Sequence, residues 1–188
     1  MKTVFISREY PLMNSFLSRL QFALENLPDN PKPQCEGFYL CFFDPKGQKM
    51  TNERIGYVPP EKEEKYCHLA FKKAYDTFYF KTTRSKDFAD DDLERYAGGF
   101  RFRTSLGKSL YTGTSAHESM VDEAISALWP LGMTILDEYE DKDFVDVYAS
   151  SDLFFQKIAI EASQLQEDLL PDNKWVKIIS ELMHRQKF

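Results

Sequence analysis

The sequence predicts a mixed α/β (α+β) fold built around one antiparallel sheet. Three observations point there. Phe38 to Phe43 is an unbroken apolar run of strand length, as a strand buried on both faces would show. Phe100 and Phe102 alternate with Arg101 and Arg103, the period of a strand with one wet face. Around them, apolar residues recur at helical spacing. At 188 residues, 43% of them hydrophobic, the chain can bury a sizeable core. The expected organisation is one α/β domain over 1–136 and, over 137–188, an acidic connector with a two-helix C-terminal extension packed on that domain.

In chain order, Phe16, Leu17, Leu20, Leu24 and Leu27 predict a helix over about 15–27, with Asn14 as its cap. Pro28, Asn30, Pro31 and Pro33 mark a connection. After the central strand, Asp44, Pro45, Lys46 and Gly47 have type I turn chemistry, so a second strand is expected within 49–58. Pro59 and Pro60 suit a helix start, because proline's missing donor is harmless in a first turn. Cys67, Ala70, Phe71, Ala74 and Phe78 form that helix's apolar stripe. Gly107 allows a reversal from the Phe100 strand into 108–114. Val121, Ala124, Ile125 and Leu128 predict a third helix from about Ser119, ended by Pro130 and Gly132. Past the acidic segment 137–143, Phe155 to Leu169 and Trp175 to Leu182 stripe two closing helices, the second with Asp172 as a cap.

Charge excludes some functions. The net charge is −6 with no basic face, so nucleic acid is not an expected partner. No apolar run approaches the roughly 18 to 20 residues that span a bilayer, and residues 1–10 lack a signal peptide's pattern. A cytoplasmic protein without a membrane partner is expected. Cys35, Cys41 and Cys67 are too few and too irregular for a disulfide framework or a zinc site, and read as reduced thiols.

Several short segments resemble, in order, the family of small haem-associated proteins that includes HbpS, GlcG and the C-terminal domain of PduO. Asp44 with Gly47 resembles its turn after the first core strand, and Ala70, Lys73 and Ala74 its Lys-Ala helix signature. Gly98 and Gly99 before Phe100 resemble its Gly-Gly-Val/Ile. Gly113, Thr114, Ser115 and Ala116 resemble its Gly-Val-Ser-Gly, and Asp122 with Glu123 the Asp-Glu of its last helix. The family's proline after Gly-Gly is Arg101 here, its second motif glycine is Ala116, and residues past Leu131 have no counterpart. The resemblance implies a profilin-like fold, a five-stranded antiparallel sheet with packed helices, and self-association into homo-oligomers. It implies a small-molecule ligand, with haem as the suggested cofactor. Lys73, Gly98, Gly99, Gly113, Thr114, Ser115 and His117 are the ligand-binding candidates.

Each candidate has two readings. Gly98 and Gly99 can admit a ligand to bare backbone, and Gly113 to Ser115 can offer donors to an anion at a helix start. Equally, both are turn chemistry, with Ser115 or Ser119 as an N-cap. His117 can serve as an axial haem ligand or be a solvated loop residue. Cys67 and His68 are adjacent, hence about 100° apart on a helix, which does not relay a proton. Ser115, His117 and Asp122 are triad residue types without a nucleophile elbow. Arg101, Arg103 and Lys108 can hold an acidic partner or be a paired outer face. No catalytic or metal-binding residue is assigned.

Three functions follow. The first is a small-ligand module of the HbpS and GlcG type. The second is an interaction scaffold with a decayed ligand site, whose added helices bind a partner or another copy. The third is an enzyme: Leu110 to Ser115 resembles the His-Gly-Thr strand of ADP-ribosyltransferases, with Thr112 in the histidine's place, and Glu138 with Glu140 resembles a Glu-x-Glu pair.

Overall fold

A computed structural model describes residues 13–28, 37–45, 49–93, 95–104, 107–139 and 142–186. The chain divides into two compact units: a sheet unit, Lys32–Pro130, and a helical unit made of Met1–Pro31 with Leu131–Phe188. The first helix therefore groups with the C-terminal helices, whereas the sequence reading places it with the sheet.

The sheet unit holds four antiparallel strands: β1 (Gly37–Asp44), β2 (Lys49–Gly56), β3 (Gly99–Arg103) and β4 (Ser109–Ser115), in the order β2-β1-β4-β3. β1 is central, as its apolar run predicts, and pairs with β2 from Gly37↔Gly56 to Asp44↔Lys49. The chain reverses between them, although Lys46 and Gly47 of the expected turn lie outside the described residues. β3 buries Phe100 and Phe102 and turns Arg103 outward. Gly107, at φ +73°, supports the reversal into β4.

The resemblance implies five strands; four are found among the described residues. At the outer edge of β3, among the described residues, there is a single bridge, Arg84↔Phe100, with Arg101 N–H donating to Thr83 O at 2.8 Å. The chain then turns at once into a 3-10 helix, Ser85–Phe88, so the pairing does not propagate.

Helix α2 (Pro60–Tyr79) starts on the expected prolines and lies over one sheet face. Period-two alternation puts Gly113 on that face and Thr112 and Thr114 on the opposite one, where their hydroxyls meet Ser126 of α3 (Ser119–Leu136). Pro130 and Gly132 do not end α3. A mid-helix proline costs about 3 kcal/mol. Here the apolar pattern continues past it, and Leu131, Ile135 and Leu136 are buried, which offsets that cost.

The helical unit comprises α1 (Met13–Glu25), α4 (Lys142–Ala149), α5 (Asp152–Leu169) and α6 (Trp175–Arg185). α1 begins before Asn14, so that residue lies inside the helix and is not its cap. Its apolar stripe, Phe16, Leu20 and Leu24, is buried where α1 packs on α6. α4 occupies what the sequence suggests is connector. Ser151 caps α5, its hydroxyl accepting from Phe154 N–H at 3.3 Å. At α6 the buried Asn173, one residue past the expected Asp172, accepts from Trp175 N–H at 3.2 Å. Among the described residues no helix is long and apolar enough to cross a membrane.

Candidate functional site

All seven candidate residues come together in the sheet unit, at the end of β4 beneath α2. The glycines are there for contact. A Cβ on Gly113 would sit 2.2 Å from Ala70 O and 2.6 Å from Ala74 N, and one on Gly99 would sit 2.4 Å from Lys73 O. All three distances are far inside van der Waals contact with helix backbone. Gly98, at φ +115°, would place a Cβ 2.9 Å from Lys73 Nζ. α2 itself thus lies on the bare backbone that the resemblance reserves for a ligand.

Lys73 shows how tightly this region is closed. It lies on the sheet-facing side of α2 and is 5% exposed. Its ammonium donates to Thr114 O at 2.7 Å and to Asp122 Oδ2 at 2.8 Å. Asp122 is 1% exposed, so both charges are out of water and each depends on the other. Asp122 sits in the first turn of α3, where negative charge is favoured, and its Oδ1 accepts His117 N–H at 3.0 Å. It, and not the expected serine, turns back to hold the start of the helix.

His117 is folded in. Its side chain is 6% exposed, Nδ1 lies 3.5 Å from Asp122 Oδ1, and the ring meets Phe38 edge-on with centroids 5.7 Å apart. Thr114 and Ser115 are buried too. Thr114 Oγ1 and Ser126 Oγ are 2.9 Å apart, Ser126 Oγ donates to Gly98 O at 2.8 Å, and Gly99 N–H donates to Ser85 Oγ at 2.8 Å. Arg84 grips the buried Glu123 in a fork, Nε to Oε1 at 2.8 Å and Nη2 to Oε2 at 2.7 Å. The arrangement is a polar lock between α2, β4 and α3. The sequence reading misses Ser85, Arg84 and Ser126; Asp122 and Glu123 carry a signal, being adjacent acids at a helix start.

Haem needs an open axial position. His117 presents a ring covered by Phe38 and turned toward Asp122, so these residues do not fit that role. Among the described residues no group of three or more His, Cys, Asp or Glu side chains is placed to hold a metal ion. The enzymatic constellation is not assembled as a site either. Thr112 is buried, its hydroxyl shared between the carbonyls of Phe100 and Ser126. Glu138 belongs to the helical unit and accepts from Lys157 Nζ at 2.7 Å, and Glu140 lies outside the described residues. Of the basic cluster, Lys108 pairs with Asp44 at 2.6 Å and Arg101 donates to Lys81 O at 3.1 Å.

Among the described residues, concave features also lie over β1 and β2. Asn52, Glu61, Glu64, Lys65, Cys67, His68 and Phe71 line an open groove. A cavity of about 20 Å³, room for roughly one water, is lined by Cys41, Phe43, Met50, Phe71, Ala74 and Tyr75.

Fold and site together define the class, an α/β sheet domain with a closed polar interior joined to a helical unit. Compared with protein-family models, curated proteins and solved structures, the chain matches none.

Proposed function

We propose that the chain is a non-catalytic interaction module that assembles with further copies of itself through its helical unit. One observation carries this reading: α4 and α5 turn large apolar side chains into solvent, with Val147 72%, Leu153 67% and Ile160 64% exposed. Leu153 and Ile160 are seven residues apart, two helical turns, and so share one face of α5. Exposed apolar side chains that share one helix face are what an association surface between copies would use. The closed interior of the sheet unit supports the same reading, since its motif residues hold α2 and α3 in place.

The test is the mass of the full-length protein in solution by light scattering. A dimer or larger species is expected, and Leu153→Glu with Ile160→Glu should reduce it to monomer without loss of helical circular dichroism. A wild-type monomer at high micromolar concentration would overturn the reading. Hemin titration separates this function from the small-ligand module. No Soret shift is expected, whereas a stoichiometric shift lost in His117→Ala would restore haem as the ligand.

A further inference from the structure

Cys41 lies on the sheet beneath α2, and Cys67 lies on α2 itself at the open groove beside it. Cys41 is fully buried and packs with Ala70 and Ala74 of α2. Cys67 stands one turn before Ala70 on the same helix and lines the open groove. Asn52 links the two. It is the direct cross-strand partner of Cys41, and directly opposed residues on one face have Cβ atoms roughly 5 Å apart. Its amide donates to Cys67 Sγ at 3.2 Å and to Cys67 O at 2.9 Å.

The helix also sits low over this part of the sheet. Gly113, the partner of Cys41 on β4, has no room for a Cβ beneath Ala70 O. A disulfide requires Cα atoms about 4.4 to 6.8 Å apart, a separation that only a closely docked helix offers to a strand beneath it. The small cavity beside Cys41, bounded by Phe71 and Ala74, gives the Cys41 sulfur space in which to rotate.

We propose that Cys67 and Cys41 are a dithiol pair that exchanges with small-molecule disulfides and closes into an intramolecular disulfide tying α2 to β1. Access sets the order of events. Burial first, and the nearby Cys67 second, push the Cys41 thiol up to about 12, so Cys41 starts protonated while Cys67 meets solvent. Cys67 thiolate attacks one sulfur of the disulfide R–S–S–R; a Cys67–S–S–R bond forms and RS⁻ leaves. Cys41 then attacks the Cys67 sulfur, the mixed disulfide breaks, and the second RS⁻ leaves with the proton Cys41 gives up. Two protein thiols are oxidised and one disulfide is reduced to two thiols.

The experiment equilibrates the full-length protein with oxidised glutathione, blocks free thiols by alkylation and maps the peptides by mass spectrometry. A Cys41–Cys67 linked peptide is expected, and Cys67→Ser should leave Cys41 unmodified. Cys41→Ala should stop at the glutathione adduct of Cys67, and the wild-type map stands alone should that variant fold poorly. Wild-type protein that stops at the Cys67 adduct, or that links Cys35 to either thiol, would overturn the pair.

Discussion

Among the described residues, Lys73 in the sheet unit and Arg19 in the helical unit are buried cations, and the two differ in where the counter-ion sits. In the sheet unit Lys73 and Asp122 are both interior, with side chains 6% and 2% exposed. In the helical unit Arg19 is 2% exposed, yet its aspartate, Asp152, is 63% exposed at the start of α5. Arg19 has further support: Nη1 donates to Met183 O at 3.1 Å, and the guanidinium lies 4.1 Å from the centre of the Phe155 ring. A planar guanidinium spreads its charge over several partners, whereas a compact ammonium concentrates it on few. The helical unit thus ties α1, α5 and α6 to a cation whose acid remains hydrated. The sheet unit closes around a pair in which neither charge can fall back on water.

That difference is breakable by substitution. Asp122→Asn should cost about 3 to 5 kcal/mol in urea unfolding, because it strands the Lys73 ammonium in the interior. Joining it to Lys73→Met should recover much of the loss, as removing both charges leaves none unpaired. Next in size is Gly113→Ala, expected to cost about 1 to 3 kcal/mol, since the methyl group must push α2 off the sheet. Asp152→Asn should cost less, about 1 kcal/mol, as its carboxylate is already largely hydrated and the buried Arg19 keeps Met183 O and the Phe155 ring. Equal losses from Asp122→Asn and Asp152→Asn would show that burial of the acid is not what separates the units.

Much of this was legible in the residues. Phe38–Phe43 as a central strand, the hairpin at Gly107 and the helix starting at Pro60 each rest on a local signal, and each appears in the structure. The division into units was not legible, because which helix stripes share a core depends on long-range packing that periodicity does not encode. α3 ran past Pro130 for the same reason: burial on both sides of the proline outweighed a local stop. At the candidate site, the glycines were legible as places where something approaches the backbone. Nothing in the sequence said that the visitor is α2, since a helix carbonyl and a ligand ask the same of a glycine. Lys73 and Asp122 were each legible as family-like positions, while their pairing could be found only once β4 and α3 were folded together.

The smallest effects sharpen the comparison through pH. Burial raises the carboxyl of Asp76 in α2 above its ordinary 3.8, with Lys72 and Arg95 pulling the other way. Glu161 in α5 is likewise raised above 4.5, by burial first, then opposed by Lys157. A raised carboxyl holds its proton more tightly in the folded state, so its contribution to stability falls as pH rises from the unfolded value through the folded one. Above that window the penalty is constant. Asp76→Asn should therefore gain on wild type as pH goes from about 4 to about 7, seen as a widening difference in urea midpoint. Glu161→Gln should show the same sign at smaller size, because its side chain is 39% exposed against 9% for Asp76 and solvent screens it. A larger pH effect at Glu161 than at Asp76 would place the more water-starved carboxylate in the helical unit and reverse the contrast drawn from Lys73 and Arg19.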